Sequence, residues 1–560
     1  ISWRGMSEPV APGVSVERPA TPQSPPLRKQ KVLDLIGWCS ESPGFVLHPD
    51  IELRMGTFGC GAFATQRIAK GTFLLSVPQE WIFSFEKMRS VDPVCAERIS
   101  RAAEESQKEL SLLDKDQTEL LLVFLFERLD KTSRWQPYFQ SLPQTVSELT
   151  TSPLYSWTET ELEDLAGTQF LKRVRYEQAA LANTFAHVVW PLLVELRPPY
   201  SREVAKAHFD YAAAAILSRT FDIGDEGTGA RFVPLVDLFN GAEEGENNVL
   251  EESIQHRGHE LCRMVALVDI EAGTELRLSY GSLTRAQVLQ KYGVFELSED
   301  QSRTRTHPDD EVGLSVKHLF PLTAESFGSK ALRELKTAVL DNMGNTEDVL
   351  CERLVDGLPW LPCYTLRWGD LDQLAPVVST PLRQFAVVMC APDQCYPELK
   401  QVAATGRLRI SVNAAALSDL MLSLLDTQLD ALGHSEHSDR ELLKTLQPGG
   451  HRHAAVRMRC HERDQLIAWR KAIWRSYGNP QGTGGLTPPS ERAGSRELAL
   501  PTQAFAVPRC SYCARRLRET AQGKLHRCSA CKAVSFCGPE CQAGAWHKDK
   551  HKSECKALAA

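Results

Sequence analysis

A chain of 560 residues, 42% of them apolar, holds material for three or four folded units at about 150 residues each. Its 64 Lys and Arg against 71 Asp and Glu give a formal charge of −7, spread thinly, which excludes a protein bound to nucleic acid along its whole length but leaves room for a local basic module. The best membrane candidate, ELLLVFLFERL at 119–129, is charge-framed and far short of the ~20 apolar residues a bilayer span needs.

Residues 1–30 are Pro-rich and carry acidic residues, the composition of a disordered tail rather than of a transit peptide. From 56 to 78, GTFGCGAFATQRIAKGTFLLSVP reads as a glycine turn and strand, with Gly71 marking a second turn. Between about 86 and 220 the apolar residues switch to three- and four-residue steps, as in TELLLVFLFERLD and REVAKAHFDYAAAAILSRTF, which predicts helices. Strand patterns return in RFVPLVDLFN, HELCRMVALVDI and GTELRLSYG, and LTRAQVLQKYG follows as one helix closed by Gly293. The pattern is that of a β fold over 31–300 interrupted by a helical insertion. Residues 301–478 read as an all-α unit, and 479–508, rich in Gly, Pro, Ser and Thr, as a flexible linker.

One stretch, FVPLVDLFNG at 232–241, begins like a buried strand with Val233, Leu235 and Val236 and ends on Asp237, Asn240 and Gly241. Those last residue types make ordinary turns, because short polar side chains bond nearby backbone and Gly takes φ > 0 freely.

Of 16 cysteines, seven fall between Cys510 and Cys555; the rest are scattered, apart from the looser pair Cys390 and Cys395. Scattered thiols suit a reducing compartment, cytoplasm or nucleus, with a plastid left open because Ile1 need not be the true start. The C-terminal cluster forms four pairs: Cys510 and Cys513, Cys528 and Cys531, Cys537 and Cys541, His551 and Cys555. Eight such ligands suit two tetrahedral Zn2+ ions, which would supply most of the folding free energy of so short a segment, 509–556. With Phe536 before Cys537 and Trp546 ahead of the last His, the segment resembles a MYND zinc finger. The resemblance implies interleaving, Cys510, Cys513, Cys537 and Cys541 on one ion and Cys528, Cys531, His551 and Cys555 on the other. The spacing departs from the family in the long gap after Cys513 and in the distance of Trp546 from His551, which makes His547 a rival ligand. Eleven Lys and Arg against four Asp and Glu between 509 and 556 come to about +4 once thiolates and metal are included, and no aromatic interleaving or groove-reading helix accompanies them. A docking unit for a peptide or protein partner fits better than a nucleic-acid binder.

The segments FGCGAFATQRIAKG, ILSRTF, FVPLVDLFNG, AGTELRLSYG and LQKYGVF, in that order, resemble a SET-domain methyltransferase of the Rubisco large-subunit methyltransferase type. SRWQPYFQSLP and SWTETELEDLAGT look like that family's helical insertion, and AAVRMRCHERDQLI like part of its helical substrate-binding domain. The implied fold is α+β: a SET-type β fold with an insertion, an all-α substrate-binding domain and a zinc-stabilised finger. The implied cofactor is S-adenosylmethionine, and the implied substrate a lysine side chain of a non-histone protein. SET-and-MYND proteins usually carry the finger inside the SET region, whereas here it stands at the far end, so their histone substrates do not carry over.

The chemistry gives each residue a role. Gly59, Cys60 and Gly61 would bring backbone beside the cofactor, with Phe58 flanking it. Arg219 could hold the cofactor carboxylate, and Asn240 with the adjoining backbone would accept from ammonium and adenine edges. Asp237 would orient the turn or meet substrate. Gly241 stands where the family usually has His, and Ile223 where relatives can carry another arginine. Tyr280, at the mouth of an acceptor channel, would align a deprotonated amine with the methyl group, positioning supplying most of the acceleration. Tyr292 and Phe295 would line the pocket, Tyr292 also meeting substrate. A protein-histidine methyltransferase and a non-catalytic SET/MYND adaptor are the alternatives.

Overall fold

The computed structural model describes residues 25–107, 112–149, 151–196, 200–222, 230–243, 245–256, 259–281, 283–297, 310–315, 328–343, 353–355, 358–360, 363–367, 377–378, 380–405, 410, 412, 414–477, 524–529 and 535–548. Most of the expected tail, the linker 479–508 and Ile223 lie outside them. The chain enters in helix α1 (Pro25–Cys39), so residues 25–30 belong to a helix and not to the tail. Four short strands follow: β1 (Val46–Leu47), β2 (Ile51–Gly56), β3 (Gly59–Ala64) and β4 (Phe73–Pro78). Between β2 and β3 the chain turns in two residues, Thr57 and Phe58, onto Gly59, whose φ of 109° lies in a region open to glycine.

The insertion is helical as the periodicity predicts: α2 (Phe85–Val91), α3 (Pro93–Ser106), α4 (Lys115–Leu129), α5 (Gln136–Ser141), α6 (Glu159–Leu162), α7 (Gln169–Thr184), α8 (Trp190–Leu196) and α9 (Arg202–Arg219). A capping box of Asp114 and Gln117 starts α4, the apolar run excluded as a membrane span; it is buried nearly all round and packs on the Ala-rich α9. Among the described residues no helix is long and apolar enough to cross a membrane. Ser201 caps α9 through Val204 N–H, and the helix ends on Arg219.

The β fold resumes with β5 (Thr220–Asp222), β6 (Ala230–Phe232), β7 (Asn240–Ala242), β8 (Val249–His256), β9 (His259–Ala266) and β10 (Glu275–Ser279), then α10 (Arg285–Tyr292). One sheet has the order β1-β4-β9-β8 and another β2-β3-β10-β7. In the second, β10 runs antiparallel to β3 and parallel to β7, with Arg277 opposite Asn240 and Leu278 opposite Gly241. FVPLVDLFNG is not one strand. It breaks after Phe232 into a 3-10 turn, Val236–Leu238, entered through Leu235 at φ 72°, the one non-glycine with positive φ among the described residues. A buried branched residue there is strained, and the strain turns Asp237 inward while Asn240 reaches β7. Gly293 closes α10 in the left-handed conformation, as expected.

Beyond residue 300 lie β11 (Glu311–Ser315), α11 (Lys330–Met343), β12 (Arg353–Val355), β13 (Leu358–Trp360), β14 (Cys363–Arg367), β15 (Val377–Val378), α12 (Thr380–Cys390), α13 (Tyr396–Thr405), α14 (Ala414–Ala431), α15 (Glu436–Thr445) and α16 (His451–Tyr477). The region is helical in bulk but not wholly α, since β11, β14 and β15 form a sheet. Strands of five residues or fewer carry too little periodicity to stand out beside long helices. Its core gathers Leu382, Phe385, Leu424, Leu466 and Trp469. Helix α16 ties this region to the insertion: Arg452 pairs with Asp164 at 2.7 Å, and His451 bonds Glu161 at 2.7 Å while stacking on Trp157. Arg459, fully buried, pairs with Asp439 at 2.6 Å and donates to the Asp164 carbonyl; Arg463 joins the same carboxylate. In the C-terminal segment the described elements are β16 (His526–Arg527), β17 (Ser535–Phe536) and α17 (Pro539–Lys548).

Candidate active site

Three strands meet at the site: β3 brings the glycine hairpin, β7 brings Asn240 and Gly241, and β10 delivers Glu275, Arg277 and, one step past its end, Tyr280. Asn240 donates through Nδ2 to Glu275 Oε1 at 2.7 Å. A Cβ added at Gly61 would collide with that carboxylate oxygen and lie 2.8 Å from Asn240 Nδ2. Gly61 is therefore glycine to admit this side-chain pair, a reason different from the bare backbone approach expected from the sequence.

The Tyr280 ring lies on Gly241, where an added Cβ would stand 2.5 Å from Cδ2 and Cε2. The ring also stacks on Tyr292, centroids 4.8 Å apart and planes 23° from parallel. Its hydroxyl donates to the Phe239 carbonyl at 3.0 Å. Phe58, Tyr280 and Tyr292 share one apolar cluster with Val288, Val294 and Leu297, and Arg277 lies 5.6 Å from the Phe58 ring centroid. Burial, opposed by Arg219 and Arg277 and reinforced by Asp237 and Glu275, pushes the Tyr280 phenol up to about 12. The phenol keeps its proton at neutral pH, so it can serve as a hydrogen-bonding group but not as a phenolate base.

Asp237 is buried at the turn. Its side chain is 0% exposed, its Oδ2 accepts from Tyr138 O–H at 2.8 Å, and Arg219 Nη1 lies 3.8 Å from the carboxylate and donates to the Asp237 carbonyl at 2.9 Å. Of the two roles foreseen for Asp237, these contacts suit the orienting one. Burial pushes its carboxyl up to about 6 although Arg219 and Tyr138 both pull it down. Arg219 remains 18% exposed, and only Nη1 is engaged among the described residues. The Gly241 carbonyl accepts from Arg277 Nε at 2.9 Å and also from Nη2, which occupies the acceptor next to Asn240.

Phe295 is not brought to this cluster. It is buried with Leu154, Leu289 and Met458, its ring under Arg457 at 4.6 Å, because the chain after Gly293 sends Val294 and Phe295 to opposite sides. Cys60 lies on β3 opposite Met55, partly buried. Sequence reasoning passed over Glu275, Arg277 and Tyr138. For Glu275 and Arg277 a signal existed, since ELRLS alternates charged and apolar residues and its charged face must meet something. For Tyr138, inside an insertion helix, there was none.

At the C-terminus Cys537 and Cys541 converge, Sγ to Sγ 3.4 Å, near the ~3.8 Å expected for two thiolates on one tetrahedral zinc, and Cys528 is buried. The residues present fit the metal. Cys510, Cys513, Cys531, His551 and Cys555 lie outside the described residues, as does the side chain of His547.

Comparison with known proteins follows the same division. Residues 59–281 match the SET domain family and residues 510–555 the MYND finger family. The chain carries a SET domain and a C-terminal MYND finger. Over 380 residues it is 27% identical to the actin-histidine N-methyltransferase of Canis lupus familiaris, covering 66% of this chain and 54% of that protein. It is 25% identical to the N-lysine methyltransferase setd6 of Xenopus laevis, covering 47% and 57%, and 24% identical to the chloroplastic Rubisco large-subunit N-methyltransferase of Pisum sativum, covering 58% and 66%. The chain thus spans between about half and two thirds of these relatives. The solved SET domain of LSMT bound to lysine and AdoHcy superposes with a TM-score of 0.58 at 17% identity, covering 80% of this chain and 91% of that one. Rubisco LSMT bound to AdoMet gives 0.54 at 18%, covering 79% and 92%. At such identities the likeness establishes the fold alone, and that fold places β3, β7 and β10 of the SET domain around Asn240 and Tyr280.

Proposed function

We propose that this chain is an S-adenosylmethionine-dependent protein-lysine N-methyltransferase acting on a non-histone protein, with the MYND finger as a docking unit for a peptide or protein partner. The observation that carries the reading is the convergence of Asn240, Tyr280 and the Gly59–Gly61 hairpin on adjoining strands, with Arg219 linked to them through Asp237. Bound S-adenosylmethionine would supply a methyl group on a sulfonium. The donor set suits it: Asn240 Oδ1 offers an acceptor to a cation, and the remaining donors of Arg219 suit a carboxylate.

The acceptor amine must be neutral to attack, and a lysine ε-amine at ~10.4 in water loses its proton more readily in an apolar, cation-bearing channel. Tyr280 then acts by position. Its proton is committed to Phe239, which leaves its oxygen lone pairs as acceptors for an amine N–H or a methyl C–H. Tyr292 stacks on the ring, and Tyr138, Asp237 and Arg219 hold the turn that carries Phe239. The proton that the lysine sheds beforehand would leave to water, and methyl transfer from sulfur to the neutral amine would leave a thioether and a methylammonium.

A histidine acceptor is the second reading, favoured by the identity to actin-histidine N-methyltransferases. Calorimetry with S-adenosylmethionine, then methyl transfer from labelled cofactor to cell extract read by mass spectrometry of lysine and histidine, tests both. Tyr280→Phe should bind cofactor normally and lose at least tenfold in methyl transfer, since positioning terms of this kind reach well beyond that. No cofactor binding by the wild type would leave only the adaptor reading.

A further inference from the structure

Glu275 is 6% exposed and sits on the central strand of the site, opposite Phe63 of β3. One position of the hairpin is shaped around it: a Cβ at Gly61 would strike its Oε1, whereas at Gly56 the close neighbour is Phe63 Cζ at 2.9 Å and the carboxylate stands at an ordinary 3.5 Å. Its oxygen takes Asn240 Nδ2 at 2.7 Å, while Asn248 Nδ2 donates to the Glu275 backbone carbonyl at 2.8 Å and fixes the strand from the other side.

This arrangement determines which end of the Asn240 amide is available. A carboxylate oxygen accepts, so the amide must present its NH2 group to Glu275, and Oδ1 is left as the acceptor at the site. Without such a partner an asparagine amide can turn over and offer donors instead. The neighbouring acceptor, the Gly241 carbonyl, is already taken by Arg277. Oδ1 of Asn240 is therefore the acceptor for a cationic ligand group, and its orientation is set by a neighbour on the same face of the sheet.

We propose that Glu275 is a cofactor-positioning residue: it locks Asn240 with Oδ1 toward the α-ammonium of S-adenosylmethionine and thereby selects ligands that carry that ammonium. The inference rests on the methyltransferase reading. Glu275→Gln keeps the shape but replaces the carboxylate by a second amide, which pairs with Asn240 equally well in either orientation, so the lock is lost while the fold is kept.

The test is calorimetry on the full zinc-loaded chain with two probes: S-adenosylhomocysteine, and its desamino analogue, which keeps adenosine and carboxylate but lacks the ammonium. Glu275→Gln should weaken S-adenosylhomocysteine about tenfold and the desamino analogue less than about twofold, as loss of one charge-assisted contact predicts. Gly61→Ala, which pushes on the same pair, should show the same selectivity, and the double variant should lose little more than either single one. It also carries the test should Glu275→Gln fail to fold. Equal weakening of both probes, or an unchanged affinity for S-adenosylhomocysteine, overturns the proposal. Failure of the wild type to bind S-adenosylhomocysteine is a different result, and it overturns the methyltransferase reading itself.

Discussion

Gly241→Ala gives a sharp test of how the site is held. Gly241 lies in strand β7 and is not among the glycines with positive φ, so alanine is compatible with its backbone and would ordinarily stabilise by about 0.4–1 kcal/mol. The structure predicts the opposite sign. The added Cβ would stand 2.5 Å from two carbons of the Tyr280 ring and 3.0 Å from a third, against an ordinary carbon–carbon contact of about 3.5 Å, so the ring must retreat by about 1 Å. The stacked Tyr292 ring restricts where the Tyr280 ring can go, and moving it pulls the hydroxyl off the Phe239 carbonyl. Overpacking of this kind costs about 1–3 kcal/mol, and a lost hydrogen bond about 1 kcal/mol. A displacement of about 1 Å in an aligning group costs on the order of 100-fold in turnover. Cofactor affinity, measured by calorimetry, should move less than about threefold, because the Gly241 carbonyl is engaged by Arg277 and the substitution leaves Asn240 alone. Methyl transfer under saturating cofactor, on a substrate found by mass spectrometry, gives kcat. Wild-type kcat, or a tenfold loss of cofactor affinity with kcat intact, would refute the reasoning and mean that position 241 meets the cofactor directly. Restoring the family's histidine at this position should be more damaging still.

The Asp237 carboxyl, raised from its ordinary 3.8 to about 6, takes up a proton in the folded chain before it does in the unfolded one. Its contribution to stability is full below about pH 4 and is lost as pH rises through 6, to the extent of about 3 kcal/mol. Asp237→Asn removes that slope, so in denaturant melts the wild type should gain on the variant as pH falls from about 7 to about 4; a constant gap contradicts the assignment. Arg459→Met leaves the buried Asp439 with Arg463 and strips the Asp164 carbonyl of its donor, and should cost about 3–5 kcal/mol by chemical denaturation while cofactor affinity stays unchanged. Zinc analysis should find two ions per chain, one in His551→Ala and two in His547→Ala; chelation should melt the finger and leave S-adenosylmethionine affinity intact, and a parallel loss of affinity would place the finger in the cofactor site.

What the sequence settled by itself are features written in local order. Paired cysteines, the switch from period-two to helical patterning at about 86 and back after 220, and Gly293 as a helix stop each depend on residues within a few positions of one another, and local spacing constrains them directly. Asn240 and Tyr280 stand in short motifs whose order along the chain singles them out, and the structure sets them on, or one step past, adjoining strands. Tertiary structure alone decided the rest. Glu275 and Gly61 are partners only because β10 pairs with β3, and Tyr138 meets Asp237 across 99 positions because an insertion helix folds back beneath the turn. Phe295 went to the helical region, not to the pocket, since a single step along the chain reverses the side on which a residue emerges. The strain at Leu235 and the fit of the Tyr280 ring onto Gly241 come from packing between strands distant in sequence, where a difference of an ångström decides which side chain can be present, and no pattern of residue types encodes that distance.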